Sequence, residues 1–307
     1  MRGKVIKSTG SFHWIVDEEG NQITCRLKGN IRLKNYKFTN PVAVGDEVVF
    51  EPSVGKEGLI EEILPRRNYI IRRSVKLSKQ AHIIASNIDQ AILVVTLAEP
   101  KTYAEFIDRY LVTAEAYHIP AILLFNKTDI YQSKEREELK FLMEIYLGIG
   151  YPCLAISASS DKDLDQVKEL LQGKTTLFSG YSGVGKSTIV NRIDPSLNLR
   201  TGDISTHHGS GKHTTTNAEM HELKGVGFII DTPGIKGLGV LDIRKEELSH
   251  YFLEMRAVLA NCKYNNCVHI DEPGCAVKEA VEMGKIAESR YRSYLKIYYD
   301  EEGESYR

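Results

Sequence analysis

The sequence has no run of about 18 consecutive apolar residues, so no segment of it can cross a bilayer as a helix. Residues 1–10 alternate polar and apolar with interspersed lysines, and they lack the continuous apolar core of a secretory signal. A cytoplasmic protein with no membrane contact is expected. Internal repeats and low-complexity tracts are also absent, which excludes a solenoid or a largely disordered chain. Cysteine occurs only five times in 307 residues. An odd count without a secretory segment argues against a disulfide framework and leaves metal binding or ordinary burial. What the chain does have, 42% hydrophobic and 26% charged residues, is the composition of a globular protein long enough for two or three domains.

The net charge of −1 hides an asymmetry: residues 1–80 hold 15 Lys/Arg against 9 Asp/Glu, and the remainder holds 25 against 32. A basic first third suits contact with a polyanion; a mildly basic solvated domain is the alternative. Short segments at residues 4–8, 13–16, 22–26, 46–51 and 59–64, separated by Gly/Asn/Asp/Pro turns, fit a five-stranded barrel of the OB type. Its residues Arg26, Lys28, Arg32, Lys34 and Lys37, near Tyr36 and Phe38, would suit RNA, while most apolar residues, Trp14 included, are expected in the core. Residues 66–79 carry six basic residues and no acid, and read as an exposed connector able to touch phosphate.

Beyond residue 87 the period changes. Buried-strand runs at residues 90–97, 121–125, 153–156, 175–178 and 227–230 alternate with helical patterns at 106–114, 133–148, 161–172 and 186–192, which implies a parallel sheet covered on both faces. Helices are expected at 246–259 and 277–298, followed by an acidic tail.

Gly180-Tyr181-Ser182-Gly183-Val184-Gly185-Lys186-Ser187 follows the run at 175–178 and opens a helical pattern, the context that a phosphate-binding loop requires. Its glycines let backbone amides curl round phosphates, Lys186 supplies a point charge for the β- and γ-phosphates, the Ser187 hydroxyl suits Mg²⁺, and Thr188 is a further nucleotide-binding candidate. Asp231-Thr232-Pro233-Gly234 follows the strand at 227–230; Asp231 would hold Mg²⁺ through water and the Gly234 amide would meet the γ-phosphate. Asn126-Lys127-Thr128-Asp129 ends the run at 121–125. The Asp129 carboxylate can accept from guanine N1–H and N2–H₂, which adenine does not offer, Asn126 suits the N7/O6 edge, and Lys127 can lay its stem along the base. Ser157-Ala158-Ser159, one strand later, offers an amide for guanine O6. GTP is therefore expected rather than ATP. The base-reading motif precedes the phosphate loop, the reverse of ordinary GTPases, and a permuted chain can still build one pocket because the loops need only be neighbours in space.

Residues 199–216, polar and glycine-rich, occupy the place of the first switch, where Thr215 is favoured over Thr216 as a Mg²⁺ ligand when the γ-phosphate is present. Ile235 follows Gly234 where a water-orienting glutamine is usual, and isoleucine cannot orient water. Slow hydrolysis by the chain alone is expected, with His213 as the local polar candidate; a solvent-exposed switch histidine is the alternative. Cys262, Cys267, His269 and Cys275 form C-x4-C-x-H-x5-C, a closed Cys₃His set that suits tetrahedral structural zinc, with unligated cysteines as the alternative.

The motif order, the barrel-like first third and the Cys/His cluster together resemble the bacterial ribosome small subunit-dependent GTPase A family over essentially the whole chain. The resemblance implies a multidomain fold: an N-terminal OB-fold β-barrel (residues 1–72), a central α/β circularly permuted P-loop GTPase domain (73–237) and a C-terminal α-helical zinc-binding domain (238–307). It further implies GTP/GDP, Mg²⁺ and one structural Zn²⁺ ion, with His213 as the water-orienting residue beside Lys186 and Thr215. The implied partners are the 30S ribosomal subunit and 16S rRNA, bound by a monomer late in subunit maturation, with hydrolysis stimulated by the subunit and coupled to release. Three rivals remain at this point: a permuted GTPase of the large subunit, a nucleotide-gated RNA-binding chaperone, and a P-loop kinase, against which the guanine motif speaks.

Overall fold

The structure, a computed structural model, describes residues 1–29, 40–53, 57–73, 81–199, 218–231 and 243–299. Alternation builds the N-terminal barrel: strands β1 (Arg2–Thr9), β2 (Phe12–Asp17), β3 (Gln22–Leu27), β4 (Glu47–Glu51) and β5 (Gly58–Ile63) pair in the order β1-β2-β3-β5-β4 and close through β4 on β1. Val5, Ile15, Cys25, Val42, Val48, Phe50 and Ile60 fill its interior. Each such side chain contributes roughly 1.5–3 kcal/mol by leaving water. Trp14 is not among them. On β2 the inward positions are His13, Ile15 and Asp17, so the period of two turns Trp14 outward, where Lys7 lies 5.7 Å from its ring. His13 takes the inward place, its Nδ1 3.0 Å from the Ser8 hydroxyl.

The expected exposed connector is structured where it is described. Strand β6 (Tyr69–Arg73) pairs with β7 (Ala81–Ser86), and residues 74–79 lie outside the described residues. Arg66 is drawn in by the fully buried Asp46, donating from Nε to Oδ1 and from Nη2 to Oδ2 at 2.6 Å each. A buried carboxylate needs such a partner. Ser86 donates to the same carboxylate at 2.6 Å, so one acid ties the barrel to the hairpin that leads into the central sheet.

That sheet is formed by β8 (Gln90–Val95), β9 (Ala121–Phe125), β10 (Cys153–Ala155), β11 (Thr175–Ser179), β12 (Glu219–Leu223) and β13 (Gly227–Asp231) in the order β10-β9-β8-β11-β13-β12. All neighbours are parallel except β12 with β13. Strand β12 also pairs antiparallel with β1 at Lys7↔Glu219, which joins barrel and sheet into one eleven-stranded surface. Helices α1 (Ala104–Ala116) and α2 (Ser133–Ile149) cover one face; α3 (Asp161–Leu171) and α4 (Lys186–Ile193) cover the other.

The C-terminal part departs from the two long helices expected. Residues 245–251 wind as a 3₁₀ turn before the short α5 (Leu253–Arg256), and the second pattern divides into α6 (Ala276–Glu282) and α7 (Glu288–Tyr299). Gly284, at φ +70°, ends α6 in the left-handed conformation that glycine adopts without strain, with the Lys285 amide closing on the Ala280 carbonyl at 2.8 Å. Among the described residues no helix is long and apolar enough to cross a membrane.

Candidate nucleotide site and metal centre

The motifs separated in sequence meet at the C-terminal edge of the parallel strands. The chain leaves β11 into residues 180–185, and Gly185 turns at φ +99° into α4, whose first residues, Lys186 and Ser187, are buried. A Cβ at Gly185 would lie 2.4 Å from the Asn126 amide nitrogen, so the loop can approach the base motif this closely only with glycine. Lys186 donates from Nζ to the carbonyls of Gly180 and Tyr181, each at 2.7 Å.

Asn126 is the joint of the assembly. Its Nδ2 donates to the Val184 carbonyl at 2.8 Å and its Oδ1 accepts from the Ala158 amide at 3.0 Å. One side chain thus fastens the phosphate loop and the Ser157–Ala158 turn to the end of β9. Asp129 is exposed and oriented by the Ser157 hydroxyl, which donates to Oδ1 at 2.6 Å. Lys127, with left-handed backbone at φ +65°, donates from Nζ to the Glu99 carbonyl, and Thr128 follows in the same turn.

Two further residues hold these loops, and neither stood out in the sequence. Tyr131 donates to the Asn126 carbonyl at 2.7 Å and accepts from the Leu97 amide at 2.9 Å. Burial pushes its phenol up to about 12, so it stays a neutral donor and acceptor. Arg192 on α4 donates to the Ala158 carbonyl at 2.5 Å. The only sequence signal was proximity to a motif, since both act through backbone atoms. Asp231 closes β13 beside β11, as its motif requires, and its backbone is placed there. His213, Thr215 and Gly234 lie outside the described residues, as do Arg32, Lys34, Tyr36, Lys37 and Phe38 of the barrel. Arg26 and Lys28 are described and already paired, with Glu57 at 3.5 Å and Glu61 at 3.0 Å.

The C-terminal cluster does come together: one donor atom from each of Cys262, Cys267, His269 and Cys275 lies within 4.8 Å of the others. His269 Nδ1 is 3.3 Å from Cys275 Sγ and 3.7 Å from Cys262 Sγ. Tetrahedral Zn–S and Zn–N bonds put donors roughly 3.3–3.8 Å apart, so the set fits a zinc ion once the more widely spaced donors close in by at most about 1 Å. Burial, with the neighbouring thiols adding to it, pushes Cys267 up to about 12, and burial holds the His269 imidazole below its usual value. Thiols placed this way become thiolates when a cation joins them, and a neutral imidazole is the ligand form. Glu272 shapes the loop by accepting from the amides of Val268 and Ile270 at 2.7 and 2.9 Å. Tyr291 and Tyr294 of α7 donate to the carbonyls of His269 and Val268 at 2.6 Å each.

A phosphate loop leaving the strand between β8 and β13, and base-reading loops on strands that come earlier in the chain, define a circularly permuted P-loop GTPase, flanked here by a barrel and a Cys/His unit. Comparison with known proteins agrees with that class. The RsgA GTPase profile matches residues 63–241 and the RsgA N-terminal domain profile matches residues 2–60. The small ribosomal subunit biogenesis GTPase RsgA of Christiangramia forsetii is 53% identical over 305 residues, 98% of this chain and 97% of that one. RsgA 2 of Bacteroides thetaiotaomicron, also named a small ribosomal subunit biogenesis GTPase, is 53% identical over 307 residues, 100% of this chain and 99% of its own. Among solved structures, YjeQ from Thermotoga maritima superposes with a TM-score of 0.79 at 38% identity, covering 97% of both chains. YloQ, described as a circularly permuted GTPase, gives 0.75 at 33% identity over 97% of this chain and 93% of that one. The chain belongs to the RsgA GTPase family and is a GTP hydrolase.

Proposed function

We propose that the protein is a cytoplasmic, monomeric GTPase that binds the 30S ribosomal subunit through 16S rRNA, assists its late maturation, and is released when GTP is hydrolysed. The observation that carries the nucleotide part is the convergence of base loop, phosphate loop and Ala158 turn on Asn126. The ribosomal part is supported by the names borne by relatives 53% identical over nearly the full chain.

In this reading the amides of residues 180–185 and Lys186 cradle the phosphates of GTP or GDP. Asn126, Lys127, Thr128, Asp129, Ser157 and Ala158 form the base pocket, with Asp129 reading guanine N1–H and N2–H₂. Ser187, Thr215 and Asp231 hold Mg²⁺, Thr188 helps bind the nucleotide, and the Gly234 amide meets the γ-phosphate. When bound, Mg²⁺ neutralises charge on the phosphates. The Lys186 ammonium has three donors, so its bonds to the carbonyls of Gly180 and Tyr181 are compatible with a phosphate contact. His213 orients the attacking water, because Ile235 cannot. Cys262, Cys267, His269 and Cys275 hold a structural Zn²⁺. Residues 1–72, 73–237 and 238–307 act as the RNA-binding, nucleotide-binding and metal-binding units.

Steady-state GTP hydrolysis by the protein alone, with purified 30S subunits and with 50S subunits, tests the proposal, using Lys186→Ala as the blank. Stimulation of at least about tenfold by 30S alone is expected, of the kind a partner gives when it completes a GTPase site. No stimulation, or stimulation by 50S, would overturn the ribosomal assignment.

A further inference from the structure

Helix α1 lies between two cores. Phe106, Tyr110 and Ala114 share the face that packs under the central sheet. Asp108 and Val112, four residues apart and roughly 120–160° round the helix from Phe106 and Tyr110, look the other way. Val112 is fully buried in the C-terminal core with Phe252, Met255, Val277 and Tyr294. Asp108 accepts from Arg290 Nη1 and from the Tyr146 hydroxyl, each at 2.7 Å. Arg290, itself 1% exposed, turns its remaining edge to Glu254 at 2.6 and 3.2 Å. On the same helix as Arg290, Tyr291 and Tyr294 hold the backbone of His269 and Val268 in the Cys/His loop.

The opposite face of α1 reaches the phosphate loop. The rings of Phe106 and Tyr181 stack with centroids 4.1 Å apart and planes 27° from parallel. Tyr181 packs against both cores of the sheet, and its carbonyl accepts from Lys186 Nζ. A continuous line of contacts therefore runs from Lys186 through Tyr181 and Phe106 into α1, and out through Asp108 and Arg290 to α7 and the Cys/His loop.

We propose that α1 couples the phosphate loop to the Cys/His unit, with Phe106 as the positioning residue on the loop side and Asp108 with Arg290 on the other. The inference rests on the nucleotide reading of residues 180–187. A phosphate drawn to Lys186 adds an anionic acceptor to the ammonium that bonds the Tyr181 carbonyl, so nucleotide binding redistributes the bonding of the peptide whose ring leans on Phe106. Close-packed side chains and a buried ion cluster have few alternative arrangements, so a shift on one face of α1 is felt on the other. Coupling of this kind is reciprocal, and a partner seated on the Cys/His unit biases the phosphate loop in turn.

Hydrogen exchange of the full chain without nucleotide, with GDP and with a non-hydrolysable GTP analogue decides the matter, run on wild type, Phe106→Leu and Asp108→Asn beside a fluorescent guanine-nucleotide titration. Both variants are mild: leucine stays apolar, and asparagine leaves Arg290 balanced by Glu254. In the wild type, exchange in residues 288–299 is expected to change at least about fivefold with nucleotide, the low end of allosteric coupling. Both variants are expected to bind nucleotide yet lose that response. If Phe106→Leu does not fold, Asp108→Asn decides alone. Wild-type binding with unresponsive α7 amides overturns the inference, as does a response that survives the substitutions. Absence of nucleotide binding by the wild type overturns the nucleotide reading itself, and the inference with it.

Discussion

Asp194 carries out several tasks at the end of α4. Its Oδ1 accepts from the Ser196 hydroxyl at 2.6 Å and the Ser196 amide at 3.0 Å, and its Oδ2 accepts from the Lys224 amide at 3.1 Å in the turn between β12 and β13. The helix that begins with Lys186 and Ser187 is thereby fastened at its far end to the strand pair that leads to Asp231. The Ser196 hydroxyl holds the carboxyl below the usual range, with burial opposing it and the Lys224 amide assisting. A carboxyl depressed in the folded chain binds its proton more readily when unfolded. Its stabilisation is therefore present above the ordinary carboxylate range and is lost as pH falls through the depressed value. Asp194→Ala should cost about 1–2 kcal/mol near neutral pH, the usual size of a lost cap with its hydrogen bonds. Urea unfolding at neutral and acid pH checks this: the gap between wild type and variant should narrow on acidification, and a gap independent of pH would show that the charge is not what matters.

Elements whose formation is local were legible in the sequence. The strand, loop and helix around residues 175–193 follow from a buried apolar run, three glycines and a helix start within twenty residues, and the base loop ends its strand where a hydrophobic run gives way to Asn126. Elements whose stability is supplied from afar were not. Strand β12, with Met220 and Leu223 as its buried positions, gains its place from β1, more than two hundred residues earlier in the chain. The division between α6 and α7 did have a local signal, Gly284, inside a pattern that otherwise reads as one helix. Arg66 looked exposed because its partner, Asp46, is twenty residues away and its burial depends on the barrel having closed. That pair sets the junction of β4, β6 and β7, so Arg66→Ala, which strands a buried carboxylate, should cost about 3–5 kcal/mol. Denaturant unfolding measures it, and Arg66→Met combined with Asp46→Asn should recover much of the loss. Equal destabilisation by the single and double variants would mean that packing, not charge, holds the junction.

Across the whole molecule, the three units are joined by different means. The barrel is continuous with the central sheet through β1 and β12 and is locked by Asp46. Among the described residues the C-terminal unit shares no strand with the sheet; it is held by Val112 of α1, by the cluster that Arg290 forms with Asp108 of α1 and Glu254, and by its own small core, to which Cys275 belongs. The described part of that unit is a short α5, a seven-residue α6 and a twelve-residue α7 joined by turns, too little regular structure to be stable by helix propensity. A metal ion joining Cys262, Cys267, His269 and Cys275 would therefore supply a large share of its folding free energy. Dialysis against a strong chelator, with thiol titration and metal analysis, should release about one zinc ion per chain and free three thiols. Circular dichroism should then lose helical signal attributable to residues 253–299, while the central sheet and its phosphate loop stay folded and still bind guanine nucleotide. Re-addition of zinc should restore the signal. If the chelated protein keeps its helical content and melting temperature, the cluster is four packed side chains that need no metal, and the C-terminal unit stands on its apolar core, the Arg290 anchor and its ion pairs to Glu105 and Glu115 of α1.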